Sequence, residues 1–238
     1  MNKLRLQCKK SFAWSVIASS LVLSACGGSS NSSKTNKTYK VTINNVTANQ
    51  PLSPAAIVLH KPSYHLFQAG QAASAGIENL AEGGSNQKLL DEASADSGFI
   101  ASKSGTAPIG PGGSESLELS AGNARGFTLS IAAMLVNTND AFAGVSSNKI
   151  GTLKVGESFS MHIPVWDAGT EANSEAAGSI PGPADGGEGF NASRAGDANF
   201  VAIHQGVVTH ADGLTTSVLD ESHRFDNPGA LLRVERVE

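Results

Sequence analysis

Apolar and polar residues alternate one for one along several short stretches of this chain. Tyr39, Val41 and Ile43 alternate with Lys40, Thr42 and Asn44, the pattern of a strand with one buried face. Phe127, Leu129, Ile131 and Ala133 alternate with Thr128, Ser130 and Ala132, and the run continues through Met134-Leu135-Val136. Phe159, Met161 and Ile163 alternate ahead of Pro164. Ala55 to His60 is a short, continuously apolar run, and further strands are expected over 200–208 and 231–237. Asn227-Pro228-Gly229 marks a turn before the last of these. Helical spacing is confined to 72–82 and 87–95, between early strands. The stretches 103–114 and 178–189 are Gly-rich and poor in apolar residues, and read as long surface loops. Neither loop has the strand–loop–helix setting or the Lys of a phosphate loop. The elements predict one all-β domain with small helical insertions and long Gly-rich loops.

The amino terminus has a different grammar. Lys3, Arg5, Lys9 and Lys10 precede an apolar stretch from Ser11 to Ala25. That stretch is too short to cross ~30 Å of hydrocarbon, and with small residues at its end it reads as a secretory signal over 1–25. Leu23-Ser24-Ala25-Cys26 resembles the lipobox of bacterial lipoproteins. That resemblance implies cleavage before Cys26, acylation of its thiol and amine, and attachment to a lipid bilayer. Gly27, rather than an acidic residue, follows Cys26, which by the same resemblance points to the outer membrane. Gly27 to Lys37 has no apolar residue and reads as a flexible tether, so 26–37 links lipid to a domain spanning 38–238.

Charge changes the picture once the signal is removed. It carries four basic residues and no acidic ones, leaving 13 basic against 21 acidic residues and a net charge of −8. Such a surface disfavours nucleic acid and suits a cation. Cys8 leaves with the signal and Cys26 takes the lipid, so no disulfide is expected within one chain.

Two acidic loops carry the candidate chemistry: Asn139-Asp140-Ala141-Phe142-Ala143-Gly144 and Trp166-Asp167-Ala168-Gly169-Thr170-Glu171. Each follows a strand-like run, so a sandwich can bring Asp140, Asp167 and Glu171 to one end. Three converging carboxylates repel unless a cation sits among them, and Ca²⁺ takes such oxygen ligands. Asn137 and Asn139 are candidate carbonyl donors. The same residue types also serve as solvated or capping groups in turns. His60, His65, His162, His204, His210 and His223 show no ligand spacing. No Gly-x-Ser-x-Gly element is present. Asp212, Asp220 and Glu221 are carboxylates without a placed cleft. An enzyme is not expected.

Further motifs resemble a known family. Gln50-Pro51-Leu52-Ser53-Pro54, His60, Phe67-Gln68-Ala69-Gly70, Ala73-Ser74 and Leu80-Ala81-Glu82 precede the two acidic loops, with Asn173 and Pro181-Gly182-Pro183 after them. Phe225-Asp226-Asn227-Pro228 closes the series. Together they resemble the spondin amino-terminal domain in its bacterial lipoprotein form. The resemblance implies an antiparallel β-sandwich of about eight strands with one Ca²⁺ ion at a loop end, held here by Asp140, Asp167 and Glu171. Two departures stand out: Ala141 intervenes before the aromatic Phe142, and Glu171 replaces an Asp. The implied role is surface binding or adhesion, toward a glycan, lipopolysaccharide or surface protein. The alternatives are an envelope accessory protein with a purely stabilising metal and, further off, a polymer hydrolase.

Overall fold

The computed structural model describes residues 36–194, 196 and 198–238. The expected signal over 1–25, the lipidated Cys26 and the tether up to residue 35 lie outside these residues. Among the described residues, ten strands form two antiparallel sheets. The first is ordered β4 (Ser114–Ser120), β1 (Thr38–Asn45), β10 (Ala230–Arg236), β7 (Ser158–Ile163). The second is ordered β3 (Phe99–Ser104), β2 (Ala56–His60), β5 (Thr128–Met134), β6 (Ala141–Lys149), β8 (Val165–Asp167), β9 (Ala202–Ile203). Both the sandwich and its antiparallel pairing match the expectation from sequence.

One core lies between the sheets. Tyr39, Val41 and Ile43 meet Leu232, Val234, Leu117 and Leu119 from their own sheet and Ile57, Leu59, Leu129 and Ile131 from the other. The alternation of β1 therefore buries one face and leaves Lys40 in water. Each such aliphatic side chain contributes roughly 1.5–3 kcal/mol by leaving water.

The helices are more than insertions: α1 (Ala75–Gly83) and α2 (Gln87–Ala95) cover the outer face of the six-stranded sheet. Ile77, Leu80 and Leu89 pack there on Ala56, Val58, Ala132 and Phe142. This third layer explains why every residue of β2 and β5 is buried, and why β2 reads as a continuous apolar run. Ser74 caps α1 by accepting from Ile77 N at 3.2 Å, and Glu92 on α2 accepts from Gly76 N at 2.7 Å. A Cβ on Gly76 would stand 2.6 Å from Leu89 Cα, so glycine permits the close helix pairing.

The sequence pattern misplaced some boundaries. The first helix begins at Ala75 rather than 72. The long loop expected over 103–114 is occupied at both ends by β3 and β4, leaving 105–113 irregular. Of the strand expected over 200–208, only Ala202–Ile203 pairs, because His204 Nδ1 accepts from Gly206 N at 3.0 Å and the chain turns off the sheet edge. The stretch 178–189 is irregular, as expected, and the 227–229 turn is present, with Asn227 Oδ1 accepting from Val165 N at 2.6 Å.

Candidate functional site: a buried acidic loop end

The β6–β8 pairing places Ala141 opposite Asp167, and Ala168 N donates to Asp140 O at 3.2 Å. The two acidic segments predicted to meet therefore do meet, at one end of the six-stranded sheet. Asp140 ends the tight β5–β6 connection. There Thr138 Oγ1 donates to Leu135 O at 2.6 Å and accepts from Ala141 N at 3.1 Å.

Asp140 is fully buried. Its Oδ2 accepts from Thr170 N at 2.8 Å, Glu171 N at 3.0 Å and Thr170 Oγ1 at 3.3 Å. Consecutive backbone N–H groups thus form a small anion nest around one carboxylate oxygen. Oδ1, equally buried, has no partner. Gly169 makes this turn possible: its φ is +69°, and a Cβ there would lie 2.6 Å from Phe200 O. Burial, with the Asp167 charge adding to it, pushes the Asp140 carboxyl up to about 7 against the opposing nest bonds.

Glu171 is also buried. Its Oε1 accepts from Asn139 Nδ2 at 3.0 Å and pairs with Arg194 at 2.8 Å, while Oε2 has no partner. Burial raises this carboxyl to about 7, although Arg194 and Asn139 pull it down. Asp167 is arranged differently. Oδ1 accepts from Gly169 N at 2.7 Å and Oδ2 from Asn173 Nδ2 at 2.6 Å, so both oxygens serve its own loop. Among the described residues, no three His, Cys, Asp or Glu side chains converge closely enough to cage a metal ion.

Asn137 and Asn139 act as loop braces through their side chains. Asn137 Oδ1 accepts from Ala184 N at 3.0 Å, and Asn139 Oδ1 accepts from Glu175 N at 3.0 Å. Trp166 donates from its indole to Gly144 O at 2.9 Å and packs edge-on against Phe67 beneath the loops. The remaining acidic candidates are structural. Asp212 caps a 3-10 turn and pairs with Arg224, while Asp220 caps another. The Ser130–His60 hydrogen bond, 2.6 Å long, joins two fully buried side chains and ties β2 to β5.

Four residues at or near this end escaped the sequence reading. Glu82, at the end of α1, is buried and accepts from Asn191 N at 3.2 Å; burial raises its pKa. Glu175 is buried with Oε2 unpartnered, and burial pushes it to about 7. His204 is buried with Nε2 unpartnered; burial lowers its pKa and the Asp167 charge opposes this. Arg194 is the fourth. Glu82 was visible in the sequence only as part of a family motif and His204 only as a histidine without ligand spacing, while Glu175 and Arg194 gave no more than a charged residue near a Gly-rich stretch.

Two of the three expected ligands keep a carboxylate oxygen that a hard cation could meet. Among the described residues, two buried carboxylate oxygens, Asp140 Oδ1 and Glu171 Oε2, lack partners; burial raises both carboxyls, and the Asp140 charge adds to the rise at Glu171. An ionised carboxylate so buried requires a proton or a cation to offset its lost hydration. Asp167 is the least suited of the three expected ligands, because its oxygens are already engaged.

Two antiparallel sheets with acidic segments meeting at the β6–β8 end define a β-sandwich class of domain. The chain belongs to the spondin N-terminal domain family, whose model matches residues 35–178. That segment contains Asp140, Asp167 and Glu171 and stops before Arg194, His204 and β10. No individual curated protein matches the chain. Among the described residues, no helix is long and apolar enough to cross a membrane.

Proposed function

We propose that this chain is a lipid-tethered binding module of the bacterial envelope whose loop end takes up one Ca²⁺ ion and serves surface adhesion. One observation carries the reading: Asp140 and Glu171 are buried, each with an unpaired carboxylate oxygen. Asp140 and Glu171 would hold the ion, and Asp167 would join them by giving up a bond within its own loop. When bound, the ion supplies two positive charges where the fold has concentrated negative ones. The larger Ca²⁺ suits flexible carboxylate-rich loops better than Mg²⁺ does. A glycan hydroxyl or a lipopolysaccharide phosphate is the class of ligand that such a site addresses. The reading is of a binding module rather than an enzyme.

Thermal unfolding of the metal-stripped chain, titrated with Ca²⁺ and with Mg²⁺, tests the cation. At 100 times its dissociation constant the ion should add about 2.7 kcal/mol. Asp140→Asn and Glu171→Gln are expected to abolish the Ca²⁺ shift, and Asp167→Asn to weaken it. No shift in the wild-type chain sinks the calcium site.

The anchor has its own test. Cys26→Ser is expected to move the protein from the membrane fraction to the soluble fraction, read by fractionation of expressing cells. Retention in the membrane would remove the lipid tether from the proposal.

A further inference from the structure

Arg194 lies outside the segment shared with the family, yet its guanidinium reaches into the acidic loop end. One of its nitrogens pairs with Glu171 Oε1 at 2.8 Å, with the Arg194 side chain 18% exposed and that of Glu171 4% exposed. The guanidinium also bonds Gly189 O, and a longer contact of 3.4 Å reaches Ser179 O. Among the described residues, its Nε is buried without a partner. The guanidinium therefore does not satisfy itself fully in this position, and it leaves both Glu171 Oε2 and Asp140 Oδ1 unpaired.

The segment that carries Arg194 is held to the body through acids. Asn191 N donates to Glu82 Oε2, and Arg194 pairs with Glu171. Arg194 N closes onto Asn191 O at 3.0 Å, which joins the two attachments in one short stretch. This stretch is thus a short strap, one of whose two attachments is the ion pair at the loop end. A single planar positive charge offsets part of the negative charge there. A divalent ion at the same carboxylates offsets more, and it repels the guanidinium next to it.

We propose that Arg194 is an internal counter-ion that competes with the divalent cation for Glu171, so that cation uptake unlatches the strap around residues 189–194. This rests on the calcium reading above. Cation binding and strap release are then linked: whatever favours one favours the other by the same factor. The surface that a ligand meets differs between the cation-free and cation-loaded protein, which gives the module a cation-dependent face.

The experiment uses the full chain, with Ca²⁺ as the sole probe. Calorimetry compares the wild type with Arg194→Gln and Arg194→Lys. Arg194→Gln is expected to bind Ca²⁺ at least about fivefold more tightly, the lower range of ordinary coupling between sites. Arg194→Lys, which keeps the charge, is expected to stay nearer the wild type. The wild-type chain supplies a readout that needs no variant. Trypsin cleavage after Arg194, normalised to cleavage after Arg125, is expected to accelerate when Ca²⁺ is added and not when Mg²⁺ is. If Ca²⁺ binds all three proteins equally and leaves cleavage after Arg194 unchanged, the latch is wrong and the calcium site stands. If Ca²⁺ binds none of them, the calcium reading falls and takes the latch with it.

Discussion

Asp140 divides its work between its two oxygens: one is fixed by three donors from the 170–171 turn, and the other is buried with nothing to bind. Asp140, Glu171 and Glu175 therefore share a pH signature. Their ordinary carboxyl values are 3.8, 4.5 and 4.5, and in the folded chain each is raised to about 7. Folding favours their protonated forms. The stability this supplies is complete below the unfolded values and is lost as pH rises through about 7. The unfolding temperature of the metal-stripped chain is expected to fall between about pH 5 and about pH 8. Saturating Ca²⁺ should flatten that decline, leaving the share that belongs to Glu175. A pH-independent curve without metal would contradict the burial of these groups as ionisable acids. The meeting of the two loop segments around Asp140 and Asp167 was legible in the sequence, because turn-forming residues flank each acid and both loops follow strand-like runs. Arg194 and His204 were not, since their proximity to Glu171 and Asp167 depends on long connections with no periodicity to read.

At the scale of elements, the helices do more than their spacing suggested. By covering β2, β5 and β6 on the outer face, they remove the alternation that marks a strand with one wet side. This is why β6, with the sequence Ala-Phe-Ala-Gly-Val-Ser-Ser-Asn-Lys, was legible only as a loop motif and not as a strand. It is buried over its first half on both faces, with Ala141, Ala143 and Val145 in the core between the sheets and Phe142 under the helices. The opposite difficulty hid β4: Leu117 and Leu119 point into the core, but every remaining position of the strand is Ser or Glu. The helical layer is testable through Leu80, which is fully buried on α1. Leu80→Ala is expected to cost about 2–5 kcal/mol, read as a lower urea midpoint with unchanged slope. Lys88→Ala on the exposed side of α2 should stay within roughly 0.5 kcal/mol. Equal effects from the two would mean that the helices are not packed on the sheet.

For the whole molecule, the decisive element is the last strand. β10 lies between β1 and β7, with Tyr39 opposite Arg236 and Leu232 opposite Met161, so it is central to its sheet. A fragment ending at residue 178 retains every expected cation ligand but lacks this strand. It leaves Tyr39, Val41 and Ile43 without the partners Leu232 and Val234. Such a fragment is expected to show no cooperative unfolding transition by circular dichroism, whereas the chain through Glu238 should show one. A cooperative transition in the fragment would mean that the four-stranded sheet closes without β10.

The sandwich also has a polarity. At the start of β1, Lys37 N donates to Gly122 O, Thr38 N to Glu238 O, and the Lys37 amine sits over the Phe127 ring. Phe127 precedes β5, and β5 then runs its full length before the chain reaches Asp140. Both ends of the described chain therefore emerge at the pole opposite the acidic loops. A protein fused after Glu238 thus attaches at that far pole, at the opposite end of the sandwich from Asp140 and Glu171.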